Sequence, residues 1–454
     1  MVEATVSESR VAELESGLRG RIIRPGDGDY DEARRVWNTM IDRRPALIIR
    51  PAVAADVVAA VNFARDNALL VSLRSGSHNV AGNAVCDGGV VIDFSEMKAI
   101  SVDPQARTAT AEPGVKWGEF DAATQAHGLA TTGGTNTDTG IGGLTTGGGI
   151  GWLGGKYGLA SDNLLSADVV TADGRLIRAN DKENPDLFWA LRGGGGNFGV
   201  ITSFIYRLHP VGILLAGLLA HPVAEAKKVL RFYKEWEREM PDELRCMPAL
   251  LTDPEAGPVV AVVVCYNGPI EKGEQVLAPL RSFGPPAMDG IGPMPYTEVQ
   301  ALLDAGFPPG PNYYIRGPML REVSDDLIDI LADHYARATS PHCALGLQPL
   351  GGAMARGDTA WPHRAATYNL LIVGAWEPGD DPARHIAWVR GVGDAAAPYT
   401  TGASYVNELG LEADEGAAQI KAAFGANYDR LASIKAKYDP QNLFRYNQNI
   451  KPAA

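Results

Sequence analysis

Residues 74–79 place one reactive imidazole in a loop whose other residues suit an anion. The loop reads Arg-Ser-Gly-Ser-His-Asn and follows an apolar run at 69–73 that predicts a short buried strand. Small residues let backbone N–H groups surround an anion without steric conflict, and Arg74 adds a positive charge. His78 is the reactive side chain. The loop therefore predicts a site for a phosphorylated cofactor, although a histidine in this setting is often only a surface or capping residue.

Residues 135–152 hold so many glycines that a helix or strand interior there would be destabilised. Close approach of the backbone to a flat ligand or a pyrophosphate would compensate. Two G-x-G-x-x-G matches, at 149–154 and 194–199, lack the context of a dinucleotide fingerprint, because the second leads into a predicted strand at 200–206 where a helix is required. The pair Gly155-Lys156 is not preceded by the first glycine that a P-loop requires. These patterns argue against a Rossmann NAD site and a nucleoside triphosphate site.

Seven segments, in order along the chain, carry a resemblance to a known family. They lie at 74–78, 140–151, 161–163, 168–174, 187–195, 197–200 and 442–450. On these motifs the chain resembles the berberine bridge enzyme-like FAD-linked oxidases, which have the vanillyl-alcohol oxidase and p-cresol methylhydroxylase type of flavoprotein fold. The resemblance spans nearly the whole chain. It implies an FAD-dependent oxidoreductase that takes a hydride from its substrate onto flavin N5.

The resemblance also implies how the flavin is held. His78 corresponds to the histidine that carries an 8α-linked flavin. Many members add a thioether to a cysteine, and Asn136 stands at that position, where an amide cannot form the bond. Cys86 lies too near His78 in sequence to be the second attachment, and the other cysteines lie outside the motif: Cys246, Cys265 and Cys343. We therefore expect FAD with a single covalent link, through His78.

The expected FAD contacts lie in both glycine-containing segments and in the tail. The backbone amides of 75–79 are candidates for the pyrophosphate, and the glycines of 140–151 for the ring and ribityl chain. Thr139 and Leu144 stand where the family lines one ring face and governs oxygen access, with plain packing the alternative for Thr139. The full expected set is Arg74, Ser75, Gly76, Ser77, His78, Asn79, Gly82, Pro113, Gly114, Asn136, Thr139, Gly140, Gly142, Gly143, Leu144, Gly147, Gly148, Gly149, Gly151, Trp152, Asn163, Gly199, Val200, Ile201, Tyr446, Asn447 and Asn449.

For the catalytic base the resemblance points to a Tyr-x-Asn motif, Tyr405 and Asn407, above the flavin ring. A phenol has an ordinary pKa of about 10, so Tyr405 needs help from its surroundings to act at neutral pH. Glu408 and Glu412 follow within a few residues and are the alternatives, although each also suits a solvated acid. We expect Tyr405, Asn407 and Glu412 as the catalytic set, and no metal site.

Size and composition narrow the class of protein. The chain has 454 residues, enough for two or three domains, and its 45% apolar and 21% charged residues are typical of a globular protein. A net charge of −13 argues against a nucleic-acid partner. Four scattered cysteines form no disulfide framework or zinc motif. The first twenty residues lack the apolar core of a signal peptide and no run has the length of a membrane span, so we expect a cytoplasmic protein without a membrane partner.

The order of predicted elements indicates an α+β fold. We expect residues 1–211 to form the N-terminal part of an FAD-binding domain, with a small parallel or mixed sheet, an antiparallel sheet and helices. Residues 212–400 are expected to form an inserted substrate domain of antiparallel sheet backed by helices, and residues 401–454 to return to the FAD domain. A Pro/Gly-rich connection at 307–318 is expected at the rim of the site, and one helix over 417–438.

The leading functional hypothesis is an oxidase that uses O₂ and takes a hydride from an alcohol, a sugar or a natural-product intermediate. One alternative is a flavin-dependent dehydrogenase with another electron acceptor. A second alternative is a flavin-binding protein without turnover. Substrate specificity is expected in 212–400, where no diagnostic motif is recognised. The expected partners are a small-molecule substrate and O₂, and the sequence leaves a homodimer open.

Overall fold

The first sheet of the chain carries the loop that bears His78. A computed structural model describes residues 7–410 and 417–454. Helices α1 (Glu8–Gly17), α2 (Tyr30–Ala33) and α3 (Ala54–Asp66) accompany this sheet, whose strands are β1 (Arg21–Ile23), β2 (Leu47–Arg50), β3 (Val71–Arg74) and β4 (Val90–Asp93). The strand order is β1-β2-β4-β3.

Helix α3 connects β2 to β3, and it packs in the core because one of its faces is apolar. Val57, Val61 and Ala64 are all fully buried at helical spacing. Both strands run parallel to β4, which lies between them, and β1 is antiparallel to β2. The expected parallel unit is therefore present, but its two strands are not neighbours. This order leaves β3, and the loop that follows it, at the edge of the sheet.

A second, antiparallel sheet completes the N-terminal region. The helices here are α4 (Trp117–Gln125), α5 (Ile141–Thr146), α6 (Gly154–Tyr157) and α7 (Pro185–Leu191). The strands are β5 (Ile100–Asp103), β6 (Thr108–Ala111), β7 (Leu129–Ala130), β8 (Leu164–Val170), β9 (Leu176–Asn180), β10 (Val200–Arg207) and β11 (His209–Pro210). Five of them form the sheet in the order β5-β6-β10-β8-β9, and β7 pairs with β11.

The remaining strands form one ten-stranded antiparallel sheet. They are β12 (Leu214–Pro222), β13 (Leu244–Asp253), β14 (Gly257–Tyr266), β15 (Met288–Asp289), β16 (Gly292–Met294), β17 (Asn312–Arg316), β18 (Pro318–Leu320), β19 (Ala344–Pro349), β20 (Tyr368–Trp376) and β21 (Thr400–Ser404). The helices between them are α8 (Ala226–Trp236), α9 (Ile270–Ser282), α10 (Tyr296–Ala301), α11 (Asp325–Tyr335) and α12 (Pro382–Ala396).

The two faces of this large sheet have different surroundings. Val229 of α8 and Leu327 of α11 pack with Leu370 of β20 in one apolar cluster, so helices cover this face. Side chains alternate along a strand, and Leu371, next to Leu370, lines a cavity on the opposite face together with Gln348 of β19. The antiparallel sheet backed by helices that the sequence predicts is therefore present, with its other face free to meet a ligand.

The segment 307–318 borders the cavity through Phe307 and Ile315, but it is not the irregular connection that the sequence predicts. Residues Asn312–Arg316 are strand β17, which pairs with β20 from Asn312 opposite Trp376 to Arg316 opposite Ile372. Tyr313 in this strand is almost fully buried, and its burial holds the segment in the sheet. The proline and glycine content of the flanking residues conceals the strand in the sequence.

The C-terminal segment returns to the N-terminal region. The single helix expected over 417–438 is two helices, α13 (Ala417–Phe424) and α14 (Tyr428–Tyr438), because Gly425 has φ +51° and interrupts the helical path. Lys435 Nζ of α14 is fully buried, donates to the Asn197 carbonyl at 2.6 Å and pairs with Asp439 at 2.6 Å. The α+β fold is as expected, while the division into three segments at 211/212 and 400/401 stays a prediction. Over 7–410 and 417–454, no helix combines the length and apolar character needed to cross a bilayer.

Candidate active site

A cavity of about 780 Å³ lies between the N-terminal sheets and the open face of the ten-stranded sheet. Its lining joins four parts of the chain: the loop after β3, the glycine-rich segment, one face of the large sheet and the C-terminal tail. The next described cavity is far smaller. We therefore take this space as the candidate site.

The loop after β3 crosses the glycine-rich segment with their backbones in direct contact. A Cβ atom built on Gly76 would overlap the backbone of Gly140, and one built on Gly140 would overlap Gly76. Ser75 fastens the crossing, because its Oγ accepts a hydrogen bond from the Gly142 N–H at 3.4 Å and donates to the Pro113 carbonyl at 2.6 Å. Glycine at 76 and 140 is thus required by the approach of two backbones.

His78 lies in the cavity lining with its imidazole held from two sides. The ring stacks on Trp37 with centroids 5.0 Å apart, and Trp37 stacks on Tyr313 at 3.9 Å. Nε2 of His78 lies 2.9 Å from Oδ2 of Asp138. Burial, the largest single effect, raises the pKa of Asp138, but the hydrogen bond to His78 and the nearby charges of His78 and Lys116 together lower that pKa below its usual value. Nε2 is engaged by a carboxylate, which leaves Nδ1 as the ring nitrogen for another bond.

Tyr405 and Asn407 line the same cavity, but the phenol is held by hydrogen bonds to its own surroundings. Tyr405 Oη accepts from the Gly149 N–H and from Asn407 Nδ2, each at 2.9 Å. Burial raises the pKa of Tyr405 above its ordinary value, and these hydrogen bonds only partly oppose the rise. A phenol with a raised pKa accepts a proton poorly at neutral pH. The geometry therefore does not favour Tyr405 as the base.

Glu408, one of the two alternatives, has the properties that Tyr405 lacks. Its carboxyl lines the cavity, and Oε2 accepts a hydrogen bond from Asn369 Nδ2 at 2.7 Å. Burial raises the pKa of Glu408 to about 7, while the hydrogen bond from Asn369 opposes the rise. A group with a pKa near the working pH is the most effective proton acceptor. Glu412, the other acid, lies outside the described residues.

Most of the expected FAD contacts line this cavity together. They come from the loop after β3, from the start of the glycine-rich segment, from the beginning of β10 and from the tail: Ser75, Gly76, Ser77, His78, Asn79, Pro113, Asn136, Thr139, Gly140, Gly142, Gly143, Leu144, Gly199, Val200, Ile201, Tyr446 and Asn447.

Arg74 is not among the lining residues, contrary to expectation. Its guanidinium donates to the Ala33 carbonyl and lies 3.9 Å from Asp93 of the neighbouring strand β4. Burial lowers the pKa of Arg74, while Asp93 opposes that effect. The side chain leaves strand β3 on the side away from the cavity, so its charge anchors the sheet and does not hold an anion there.

Four glycines expected beside the flavin instead make room for protein atoms. A Cβ would overlap Asn407 at Gly147, Trp361 at Gly148, Ala160 at Gly149 and Gly133 at Gly151. The other expected contacts absent from the lining also have partners or burial elsewhere. Gly82 packs on Ile41, Gly114 on Phe94, Trp152 is in an apolar cluster, and Asn163 bonds Tyr157 and Leu159. Asn449 differs, because its Oδ1 is buried without a hydrogen-bond partner.

Two partners of His78 were not among the residues that the sequence singled out: Trp37, which lines the cavity, and Asp138. Trp37 precedes the first strand of the parallel unit, and nothing in its local sequence points to the stack on His78. Asp138 lies in the glycine-rich segment 135–152, directly before Thr139, and an acid among glycines and threonines is the signal that could have identified it. Neither partner is near His78 in sequence, so only the fold brings them to it.

A second covalent link to FAD would need a cysteine at the cavity, and Cys343 is in that position. Cys86 is fully buried, and burial raises the pKa of its thiol to about 12, which makes it a poor nucleophile. Cys343 lines the cavity on the sheet side. Asn136, at the family's cysteine position, also lines the cavity and lies 3.5 Å from Asp304.

The residues present fit an FAD molecule. Gly143 and Gly196 have open space where a Cβ would stand, so the backbone there can approach a ligand closely. Oδ1 of Asn447 is buried without a hydrogen-bond partner at the cavity wall. These features supply backbone contacts, a polar group and an imidazole in one space.

Two family models match the chain. The FAD binding domain matches residues 45–180, and the domain described as berberine and berberine like matches residues 404–451. The two matches cover the glycine-rich half of the cavity and the segment with Tyr405, respectively. They support FAD as the cofactor.

Relatives extend the match to the full chain. An FAD-linked oxidoreductase of Dictyostelium discoideum is 34% identical over 97% of this chain and 97% of its own. The (R)-6-hydroxynicotine oxidase of Paenarthrobacter nicotinovorans is 34% identical over 96% of this chain and 97% of its own. The crystal structure of 6-hydroxy-D-nicotine oxidase from Arthrobacter nicotinovorans aligns with a TM-score of 0.88 and 31% identity, covering 96% of this chain and 99% of that one. The chain belongs to the berberine bridge enzyme-like family of FAD-linked oxidoreductases.

Proposed function

We propose that the protein is an O₂-using oxidase of a small molecule, with FAD attached to the chain only through His78. The substrate is an alcohol, a sugar or a natural-product intermediate, a range that includes the compound named in the (R)-6-hydroxynicotine oxidase relative. The arrangement of His78 carries the proposal. It is a lining imidazole whose Nε2 is engaged by Asp138 and whose ring is stacked on Trp37.

Each wall of the cavity has a defined part in this function. When bound, FAD accepts a hydride from a substrate C–H bond at its N5 atom. The residues of this chain would hold it: residues 75–79 line the cavity and offer their backbone amides, and Gly143 and Gly196 leave open space for close backbone contact. The large sheet presents the substrate from the opposite side, and Glu408 stands there as proton acceptor.

Acid precipitation of the purified protein tests the link. We expect yellow colour and in-gel fluorescence to stay with the polypeptide, and the peptide that contains His78 to carry the mass of FAD. His78→Ala should release all flavin to the supernatant. Peptides with Asn136, Cys86 and Cys343 serve as internal controls and should be unmodified. Quantitative release of flavin from the unaltered protein would refute the link.

Reoxidation of the flavin separates the oxidase from its alternatives. After anaerobic reduction by a substrate, we expect mixing with O₂ to reoxidise the flavin rapidly. Slow reoxidation by O₂ but fast reoxidation by a quinone or dye would identify a dehydrogenase. Flavin that no alcohol, sugar, amine or phenol reduces would identify a binding protein without turnover. The cytoplasmic location and the homodimer stay predictions.

A further inference from the structure

A carboxyl group stands on the sheet side of the cavity without a positive charge beside it. Among the lining residues that the structure describes there is no lysine and no arginine. The acids are Glu408 and Asp253, and Asp253 Oδ1 accepts from the backbone of the β13–β14 turn. Glu408 is therefore the acid of this wall that has no backbone partner holding it.

The Glu408 carboxyl is held in a fixed place by neutral groups. Asn369 Nδ2 donates to Glu408 Oε2 at 2.7 Å and to Gln348 Oε1 at 2.8 Å. A Cβ at Gly317 would overlap Glu408 Oε2, so glycine at 317 makes room for the carboxyl. The side chains of Glu408, Asn369 and Gln348 thus form a polar row. Within the described part of the chain, Glu408 Oε1 and the Gln348 amide N–H groups have no hydrogen-bond partner.

The surface around this polar row is apolar. Met247, Val263, Ile315 and Leu371 line the same face of the sheet. A polyhydroxylated sugar would need hydrogen-bonding side chains along its whole length, because its hydroxyls lose water on binding. A compact apolar body with one polar end fits this wall better.

We propose that Glu408 recognises and deprotonates a basic amine substrate that has an apolar body. The proposal rests on the proposed oxidase function and names the substrate class of the same cavity. A protonated amine supplies the positive charge that the cavity lacks, and charge-assisted hydrogen bonds are the stronger kind. In the proton step an N–H bond breaks, an O–H bond forms on Glu408, and the electron pair stays on nitrogen. The neutral amine is the form that can then be oxidised.

The pH dependence of binding follows from the surroundings of Glu408. The groups that face it are Asn369 of β20, the Gly317 backbone before β18, and the phenol of Tyr405. Of these only Tyr405 titrates, and burial keeps it neutral near pH 7. Because the pKa of Glu408 is about 7, the carboxylate forms between pH 6 and 8. An amine should therefore bind about tenfold more tightly at pH 8 than at pH 6.

Calorimetric titration of the flavin-containing protein with three probes tests the inference. The probes are 4-phenylbutylamine, 4-phenylbutan-1-ol and 4-phenylbutyrate, which share one apolar body. At pH 8 we expect the amine to bind at least about tenfold more tightly than the alcohol, and the carboxylate to bind most weakly. Glu408→Gln should remove the preference and the pH dependence. Glu322→Gln, which changes an exposed acid two residues after β18, should retain both.

Each outcome decides the inference without requiring turnover. An alcohol or carboxylate that binds as tightly as the amine, or an amine that binds no more tightly than either, overturns it. A preference that survives Glu408→Gln does the same. If that variant does not fold, the pH dependence of the unaltered protein decides, because binding that is equal at pH 6 and pH 8 refutes the role of Glu408. If no substrate reduces the flavin, the proposed oxidase function is refuted. The binding measurements do not test that function.

Discussion

The two walls of the cavity are built in different ways. The cofactor wall is mainly backbone, supplied by two short segments, 75–79 and 139–144, that cross through Gly76 and Gly140. The substrate wall is made of side chains from separate strands, such as Met247 of β13, Gln348 of β19 and Leu371 of β20. The first wall depends on which residue types a short segment allows. The second depends on which strands pair.

This difference determines what a substitution can do to each wall. In the backbone wall a single added methyl group forces two chain segments apart, so it lowers the free energy of unfolding. In the side-chain wall the sheet tolerates exchange of a lining residue, because the strand ladder does not depend on it. Substitutions there should alter recognition and rate while the fold persists. The following four predictions test that contrast.

The largest effect is expected at the backbone crossing. Gly76→Ala should destabilise the protein by about 3 kcal/mol, because the new methyl group overlaps the Gly140 backbone, which cannot move aside easily. Gly17→Ala, away from the cavity, is the control. Its Cβ meets no atom within 4 Å, and alanine suits helix α1, so stability should change by less than about 1 kcal/mol. Urea unfolding of both variants measures the difference, and equal losses would contradict the crossing as the cause.

The next effect concerns the proton acceptor on the substrate wall. Glu408→Gln should slow anaerobic flavin reduction by about 10² at pH 7, the usual scale for loss of a general base. Stopped-flow absorbance at the flavin band measures the rate. In the unaltered protein the rate should rise with pH and level off above about pH 7, because Glu408 accepts a proton only when ionised and its pKa is about 7. The variant should lose this dependence.

Tyr405→Phe is the comparison that the family motif calls for. It removes the acceptor for the Gly149 N–H and Asn407, so we expect some loss of stability and a smaller loss of rate than in Glu408→Gln. If Tyr405→Phe slows reduction by about 10² and Glu408→Gln does not, the phenol is the base after all. The melting temperature of each variant shows whether a rate change reflects unfolding.

The smallest effect is expected at the partner of the attachment residue. Asp138→Asn should lower the rate of covalent flavin attachment about tenfold, since the carboxylate no longer fixes the His78 tautomer with Nδ1 free, while FAD still binds. The fraction of flavin that stays with acid-precipitated protein measures this. Asp304→Asn is a control in the same region, because Asp304 bonds Thr137 and does not touch His78. Equal attachment in both variants would show that Asp138 has no such role.

Part of this site was predictable because its signals are local. The apolar run before 74–79 and the glycines near 140 mark a strand, a tight loop and a close backbone approach without knowledge of the fold. The resemblance then connected these motifs to FAD. The local pattern could not show the direction in which each side chain points. Arg74 points to Ala33 and Asp93, and Gly147 leaves room for the Asn407 side chain. Both arrangements depend on neighbours that are remote in sequence.

The sequence by itself determined that the chain is an FAD-binding oxidoreductase of this family, that His78 sits on a loop after a strand, and that position 136 cannot form a thioether. Tertiary structure decided that Glu408 lines the cavity. In the sequence it is one of two acids that follow the Tyr-x-Asn motif, with no local sign of its surroundings. The pairing of β19 with β20 brings Gln348 opposite Asn369, which then holds Glu408, and burial raises the pKa of that carboxyl. Desolvation depends on everything that surrounds a group in space, and for that reason no short stretch of sequence contains it.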